Sequence, residues 1–298
     1  MRTFALHVSR FKTLIIFIGA VLALSTYLHG NRWVLLAALF MIVAGFALML
    51  VHPARLAPQC FAGRPLNAPA ADDAHADGAP RSIQAPVRGS WVPVHSPADK
   101  VPSHGVDAYG QTYAIDLVHH TDEEDDWSGV HAWPPARRAG TFSGFGQPIF
   151  APADGEVVRV AGWHRDHWSR NSWIALPFMM VEAMVRELGG PGFIIGNHVI
   201  LDLGDGTYAA FAHLKRGSIK VKPGQRVRVG EHIADCGNSG NTSEPHLHFQ
   251  LMDRPRPMIA NGVPFAFERY EVDGEEQRGV PGGHRPFTVP TTDHAPAP

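Results

Sequence analysis

Two histidines separated by a single residue mark the segment of this 298-residue chain that carries the most chemistry. His246 and His248 follow the glycine-rich run 237–244 and lie in the sequence His-Leu-His-Phe-Gln-Leu. This alternation predicts a strand, on which residues two apart face the same side about 6.5–7 Å apart. One imidazole could then hold a zinc ion while the other acts on the water or substrate bound to it. The alternative is a pair of polar histidines on the outer face of a half-buried strand.

The strand that carries these histidines belongs to a predicted β-rich domain at residues 90–272. Short alternating segments separated by Gly, Pro, Asn and Asp are typical of strands, and Gly204–Gly206 is typical of a hairpin turn. The pattern indicates a mainly β fold, with an antiparallel sandwich or barrel-like sheet. The predicted strands are 111–117, 147–151, 155–161, 198–203, 207–213, 225–229, 232–236 and 246–252.

A helical insertion, at about residues 163–192, interrupts the strands. It begins with three tryptophans, and Ile174–Leu188 then has a helical composition with Glu182 and Arg186 four residues apart. The run Gly189–Pro191 is expected to end the helix. The insertion either shapes or covers a site or packs on the sheet for stability, and its tryptophans could also rest at a membrane interface.

The N-terminal 52 residues predict a transmembrane helical hairpin. Two apolar stretches, at about 14–28 and 33–51, approach the length that crosses a bilayer, and a short turn separates them. Basic residues flank the hairpin on both outer sides, which favours both termini in the cytoplasm. An Ala- and Pro-rich linker follows at 53–89, and residues 273–298 are predicted to be a disordered tail.

The overall composition excludes some functions. The chain has 26 basic and 28 acidic residues, so it lacks the polycationic balance of a nucleic-acid-binding protein. Its 18 histidines are a weak sign of metal binding on their own. Two cysteines do not make a disulfide framework, although Cys60 and Cys236 could form a disulfide bond in an oxidising compartment.

Three sequence blocks match the pattern of a known family. They are Tyr113–Asp116, Tyr208–Leu214 and Pro245–His248, and they are accompanied by the segments 196–206 and 221–230. Together they resemble the lysostaphin/LytM-type zinc metalloendopeptidases, peptidase family M23, which have the duplicated hybrid motif fold. The resemblance runs from about Asp116 to Leu251, with the helical insertion in between.

The resemblance implies a role for each matched residue. Asp116 and His248 correspond to zinc ligands. His213 and His246 correspond to the two catalytic histidines that do not bind the metal, but orient and polarise its water and stabilise the oxyanion formed at the scissile carbonyl. Zinc is therefore the expected cofactor, because it lowers the pKa of bound water and polarises an amide carbonyl.

The chain departs from the family at the first ligand, where His-x-x-x-Asp is expected. Counting back from Asp116, the position is occupied by Thr112, which is a poor zinc ligand. We predict that His104, in a loop eight residues before Thr112, supplies the third ligand. The alternatives are His119, His120 and the acidic run 122–126.

The resemblance and the hairpin together predict a zinc metalloendopeptidase anchored in the bacterial inner membrane that acts on peptide bonds of cell-wall peptidoglycan. A cell-wall substrate requires the domain outside the cytoplasm, in conflict with the charge distribution. The alternative is a degenerate, non-catalytic LytM-like module that binds wall peptide or a partner hydrolase. The segment 221–231 also resembles biotinyl and lipoyl carriers and sugar-phosphotransfer domains of related hairpin build. A carrier would need an exposed lysine at a hairpin tip, and the sequence has no convincing candidate.

Overall fold

The computed structural model describes residues 11–50, 79–121 and 132–291. These residues form an N-terminal pair of helices and a β-rich domain. Residues 53–78 of the predicted linker, Cys60 and the acidic run 122–126 lie outside the described residues. The last part of that linker is not a tether as predicted, because Arg81–Ile83 form a strand that pairs with Phe265–Phe267.

Helices α1 (Lys12–His29) and α2 (Arg32–Leu50) coincide closely with the two predicted apolar spans. Helix α1 ends at Gly30, whose positive φ of 65° lets its N–H donate to the carbonyl of Thr26 at 2.7 Å. The helices pack at Gly19, where a Cβ would lie 2.8 Å from Cγ1 of Ile42. Among the residues described, no helix combines the length and apolarity that a membrane crossing requires. The predicted transmembrane character of the hairpin is therefore unsupported.

The β-rich domain is built on one sheet of twelve strands and a separate two-stranded ribbon. The strands are β1 (Arg81–Ile83), β2 (Gly89–Pro93), β3 (Ile115–His119), β4 (Pro148–Phe150), β5 (Gly155–Ala161), β6 (His198–Asp202), β7 (Tyr208–Ala212), β8 (Arg226–Val227), β9 (His232–Asp235), β10 (Leu247–Met252), β11 (Gly262–Val263), β12 (Phe265–Val272), β13 (Glu275–Gly279) and β14 (Phe287–Val289). In the large sheet, the central strands follow the order β2-β3-β10-β7-β6-β5. Strands β4 and β9 form the ribbon.

The mainly β prediction is confirmed, with two differences in detail. The sheet is mixed, because β1 pairs in parallel with β12, whereas the other described pairings are antiparallel. Residues 273–291, which were predicted to be a disordered tail, contribute β13 and β14 to the sheet. Phe287 of β14 packs this segment into the domain, because its side chain is buried and it pairs with Trp91 of β2.

The core lies on one face of the central strands. On β10, Leu247, Phe249 and Leu251 belong to the main hydrophobic cluster, together with Ile149 of the β4–β9 ribbon. Burying each such side chain contributes about 1.5–3 kcal/mol. Because side chains alternate along a strand, the other face of β10 carries His248 and Gln250. The core thus fixes the face on which the polar residues gather.

The predicted helical insertion is present between β5 and β6. Helix α3 (Ala175–Gly189) is followed at once by the short α4 (Pro191–Ile195). The backbone carbonyl of Ile195 accepts a 2.9 Å hydrogen bond from the N–H of His213, at the end of β7. The insertion therefore contacts the part of the sheet where the predicted site residues lie.

Candidate metal centre

Asp116 and His248 face each other across neighbouring strands. They are direct partners in the antiparallel register of β3 and β10, which places their side chains on the same face. Nδ1 of His248 lies 2.8 Å from Oδ1 of Asp116, and both residues are buried. Two residues that are 132 positions apart in sequence thus meet because the strands pair.

His104 completes this pair from a loop that folds back over β3. The N–H of Ser103 donates to the carbonyl of Thr112 at 3.0 Å, which closes the loop. Nε2 of His104 then lies 3.0 Å from Oδ2 of Asp116. Thr112 itself points elsewhere, since its hydroxyl donates to Oδ1 of Asp107 at 3.1 Å. The loop brings a histidine to the position that Thr112 leaves without a metal ligand.

These three side chains have the composition of a zinc site. One ligand atom from each of His104, Asp116 and His248 lies within 4.8 Å of the other two. Two imidazole nitrogens and one carboxylate oxygen are typical of catalytic zinc, which keeps a fourth position for water or substrate. Burial raises the pKa of Asp116, but the nearby His104 and His246 and hydrogen bonds from His104 and His248 outweigh it and hold that pKa well below its usual value. The carboxylate is thus ready to bind a cation.

Gln250 orients His248 from the opposite side of the ring. Oε1 of Gln250 lies 2.8 Å from Nε2 of His248, and its Nε2 donates to the carbonyl of Tyr109 at 2.8 Å. The second bond fixes the orientation of the amide, so its oxygen faces the imidazole. Because Nε2 of His248 donates to Gln250, the ring nitrogen that would bind a metal is Nδ1, which faces Asp116.

His213 and His246 lie beside the three-donor group. Their ring centroids are 4.8 Å apart, and Nε2 of His246 is 3.7 Å from Oδ1 of Asp116. Nδ1 of His213 lies 2.8 Å from the carbonyl oxygen of Ser239, and Nδ1 of His246 lies 2.8 Å from the carbonyl oxygen of Glu244. Each imidazole therefore donates from Nδ1 and keeps Nε2 as the acceptor.

The electrostatics of the two rings favour the neutral form. Burial lowers the pKa of His213 well below its usual value, and the neighbouring His246 and His248 add to the effect. Burial also lowers the pKa of His246, although Asp116 opposes this shift. A neutral imidazole with a free Nε2 can accept a proton, which is the property that a general base needs.

The glycine-rich run before His246 is held by the insertion. Gly240 has a φ of 83°, and a Cβ there would lie 2.5 Å from the backbone N of Gly196 and 2.5 Å from the carbonyl oxygen of Ile194. The N–H of Asn241 donates to that same carbonyl at 2.7 Å. His167 adds a hydrogen bond from its Nε2 to the carbonyl of Gly240 at 2.9 Å. The insertion thus helps to position the loop that carries Ser239 and Glu244.

The other sequence candidates lie outside the three-donor group. His119 packs edge-on against Trp91, with ring centroids 5.1 Å apart, and the backbone N–H of His120 donates to Ser90. Cys236 is a free thiol buried in the main core. The acidic run 122–126 and Cys60 lie outside the described residues.

Two residues near the site were not assigned a role from the sequence. Gln250 was placed on the histidine face of its strand by the alternation, but nothing indicated its contact with His248. His95, at the end of β2, lies with its ring centroid 5.0 Å from that of His104. A histidine 21 residues before Asp116 has no motif around it, so only the fold could bring it here.

Residues 179–260 match the model of peptidase family M23. The peptidoglycan DD-endopeptidase ShyA of Vibrio cholerae serotype O1 is 40% identical over 156 residues, which cover 50% of this chain and 29% of ShyA. The glycyl-glycine endopeptidase ALE-1 of Staphylococcus capitis is 31% identical over 112 residues, which cover 37% of this chain and 23% of ALE-1. The chain therefore spans less than a third of these curated relatives.

Solved structures resemble the domain more distantly. The catalytic domain of a point mutant of the prophage-encoded M23 protein EnpA from Enterococcus faecalis is 21% identical. The match covers 60% of this chain and 93% of that domain, with a TM-score of 0.34.

Proposed function

We propose that the protein is an endopeptidase that cleaves peptide bonds of bacterial peptidoglycan. Its β-rich domain belongs to the lysostaphin/LytM-type M23 peptidase family. The observation that carries this proposal is the convergence of His104, Asp116 and His248 beside two further neutral imidazoles. The named activities of ShyA and ALE-1 support the substrate class, because both are endopeptidases and the first acts on peptidoglycan.

Zinc is the cofactor of M23 peptidases, and the donor set of this chain fits it. We propose that His248 contributes Nδ1, His104 contributes Nε2 and Asp116 contributes a carboxylate oxygen. When bound, zinc supplies the Lewis acidity that activates both a water molecule and a peptide carbonyl. The protein contributes the orientation of its ligands and the proton carriers beside them.

His213 and His246 are the proton carriers in this proposal. Each holds its Nδ1 proton on a backbone carbonyl, so Nε2 is the atom that exchanges protons with the reactants. As a base, one imidazole takes a proton from the attacking water, and the proton later passes to the leaving amine. An imidazole in its protonated form also donates to the oxyanion that develops at the carbonyl.

A second candidate is a binding module that keeps the fold and lacks the reaction. The observation that favours it is Thr112, which occupies the family's first ligand position and bonds to Asp107. In this case His104 would not complete a tight metal site. Such a protein would bind wall peptide or a partner hydrolase through the same face.

Metal analysis and hydrolysis of peptidoglycan by the purified full chain test the two functions together. We expect about one zinc per chain, release of new amino groups from wall peptides, and loss of both in His248→Ala. His213→Ala should keep its zinc and lose hydrolysis by about 10²–10⁴-fold, because it removes a proton carrier but no ligand. Wild-type hydrolysis in His248→Ala would refute the assignment, and a wild-type chain without zinc would favour the binding module.

We also propose that the chain is attached to the bacterial inner membrane through the helices α1 and α2. Their apolar surfaces support attachment, with exposed Leu24, Phe40 and Val43. A reporter fused after Pro298 tests the side on which the domain lies. A cell-wall substrate requires an extracytoplasmic signal, whereas the flanking basic residues favour the cytoplasm. A cytoplasmic signal would contradict the substrate but leave the zinc site unaffected.

A further inference from the structure

Helix α3 turns its apolar side toward solvent. Ile174, just before the helix, and Phe178, Val181 and Val185 within it are spaced by four, three and four residues, so they share one face. Their side chains are 61, 55, 50 and 63% exposed. We call these four residues the outer stripe. A surface helix normally buries its apolar face, so a stripe of this kind needs an occupant.

The orientation of the helix is fixed by charged residues on its inner side. Oε2 of Glu182 accepts a 2.9 Å hydrogen bond from Nε of Arg170 in the preceding loop. Arg186, one turn further on, contacts both Glu182 at 3.4 Å and the side chain of Asn241 at 3.5 Å. These half-buried ion pairs face the domain, and the guanidinium of Arg170 also lies 5.2 Å from the ring of Phe178, at one edge of the outer stripe. The exposure of the stripe is therefore a built feature of the insertion.

Three tryptophans extend the apolar surface of the insertion. Trp163, Trp168 and Trp173 are 61, 54 and 66% exposed. Arg165 is exposed among them, and the guanidinium of Arg138 lies 5.8 Å from the ring of Trp168. Indole rings, with an apolar body and a polar N–H, concentrate at the level of lipid headgroups, and arginines attract anionic headgroups.

We propose that the outer stripe and the three tryptophans rest on the surface of a lipid bilayer. The helix would lie in the interface and would not span it, as amphipathic helices of peripheral proteins do. The helices α1 and α2 favour lipid over a protein partner, because their exposed Leu24, Trp33 and Phe40 have no cover among the described residues either. One bilayer covers both apolar surfaces. Residues 51–78 join them and, at about 3.3–3.6 Å per extended residue, allow both to reach the same membrane.

This contact has a consequence for the metal centre. Helix α3 continues into α4, whose residues Ile194 and Ile195 hydrogen-bond to Asn241 and His213. A membrane-bound α3 therefore keeps the glycine-rich run and the three-donor group close to the bilayer. The proposal does not depend on the catalytic function, since it rests on surface residues outside the centre.

A fluorescent label on the outer stripe tests the proposal. In the full chain with Cys60→Ser, Val181→Cys is labelled with an environment-sensitive fluorophore, while the native Cys236 is buried and stays unlabelled. The matched control carries the label at Lys222→Cys, an exposed position in another loop. Both proteins are mixed with vesicles of phosphatidylethanolamine and phosphatidylglycerol. We expect a blue shift, and quenching by brominated lipid, at position 181 and neither at 222.

The two variants share the N-terminal helices, so any vesicle binding through those helices affects both labels equally. An unchanged spectrum at position 181 in the presence of vesicles would overturn the proposal. A blue shift that grows with protein concentration in the absence of lipid would also overturn it, because it would identify a second copy of the chain as the occupant. Equal quenching at both positions would show that lipid does not select the outer stripe.

Discussion

Nε2 of His248 lies 2.8 Å from Oε1 of Gln250, two residues further along the same strand. Because the Gln250 amide is held by the carbonyl of Tyr109, this contact keeps a proton on Nε2. Nδ1, which faces Asp116, is then the nitrogen that would give up its proton and bind a metal, and we expect Gln250 to position the ring for it.

Replacing Gln250 by leucine should weaken zinc binding without removing a ligand. We expect zinc affinity to fall by about 10–100-fold, as is typical when an outer partner of a metal-binding histidine is lost. Gln250→Glu, which keeps an acceptor oxygen, is the matched control and should bind zinc more tightly than Gln250→Leu. Competition with a zinc chelator measures the affinities. Equal affinities for wild type and Gln250→Leu would contradict the role of Gln250.

The histidine that fills the third ligand position can be identified by a small set of variants. His104→Ala should reduce zinc affinity by more than the Gln250 variant does, because it removes a donor atom rather than its support. His120→Ala and Thr112→Val should leave zinc affinity near that of wild type. The three variants are compared in the same chelator competition. Wild-type affinity in His104→Ala, or a large loss in His120→Ala, would move the third ligand away from His104.

The sequence indicated six of the twelve strands of the large sheet and the polar face of β10, but not how the loops close over it. Strand β5 agrees at both ends with its prediction, and β6, β7 and β10 agree within one residue, because their alternation of apolar and polar residues is regular. The strands without a predicted counterpart are β1, β2, β11, β12, β13 and β14. All except the eight-residue β12 have five residues or fewer, and strands this short carry little periodic signal. Their pairing is decided by distant partners such as Phe265 and Trp91.

The candidate site was predictable only where a motif marked it. Asp116, His213, His246 and His248 belong to matched blocks, and the structure brings them together. His104 was one of several loop histidines, and its approach to Asp116 depends on the fold-back of its loop through Ser103 and Thr112. His95 lies near His104 because β2 pairs with β3, and the sequence did not indicate this pairing.

His198 should make the stability of the domain depend on pH. Its ring is buried, and burial lowers its pKa to about 4, while Nδ1 donates to the carbonyl of Gly196 at 2.8 Å. The unfolded chain, with a histidine pKa of about 6.5, binds the proton first as the pH falls. The free energy of unfolding therefore keeps its full value above about pH 6.5. As the pH falls from there toward 4, it decreases by about 3 kcal/mol in total.

The contribution of His198 is measured by comparison with His198→Asn, which keeps a side-chain donor but does not titrate. Chemical unfolding is followed at pH 7.5 and 5 in the presence of a chelator, so that zinc release does not add its own pH dependence. We expect the free energy of unfolding of the wild type to drop by about 2 kcal/mol more than that of His198→Asn. An equal drop in the two proteins would mean that His198 does not set this dependence.

The variant Gly240→Ala tests whether close packing between the glycine-rich run and the insertion supports catalysis. A methyl group at this position would have to displace the backbone of Gly196 and Ile194, and the φ of 83° is itself unfavourable for alanine. Gly217 has a similar φ of 76° but open space around its Cβ position, so Gly217→Ala carries the backbone strain without the collision. The difference between the two variants therefore isolates the effect of the collision.

We expect Gly217→Ala to lose about 1–2 kcal/mol of stability and to keep its rate of peptide hydrolysis. Gly240→Ala should lose more stability and also hydrolyse more slowly, because the shift of its loop moves the Ser239 and Glu244 carbonyls that hold His213 and His246. Its zinc content should stay at the wild-type level, since none of the three donors lies on the run. If Gly240→Ala is destabilised but hydrolyses peptide at the rate of Gly217→Ala, the packing at Gly240 does not position the two imidazoles.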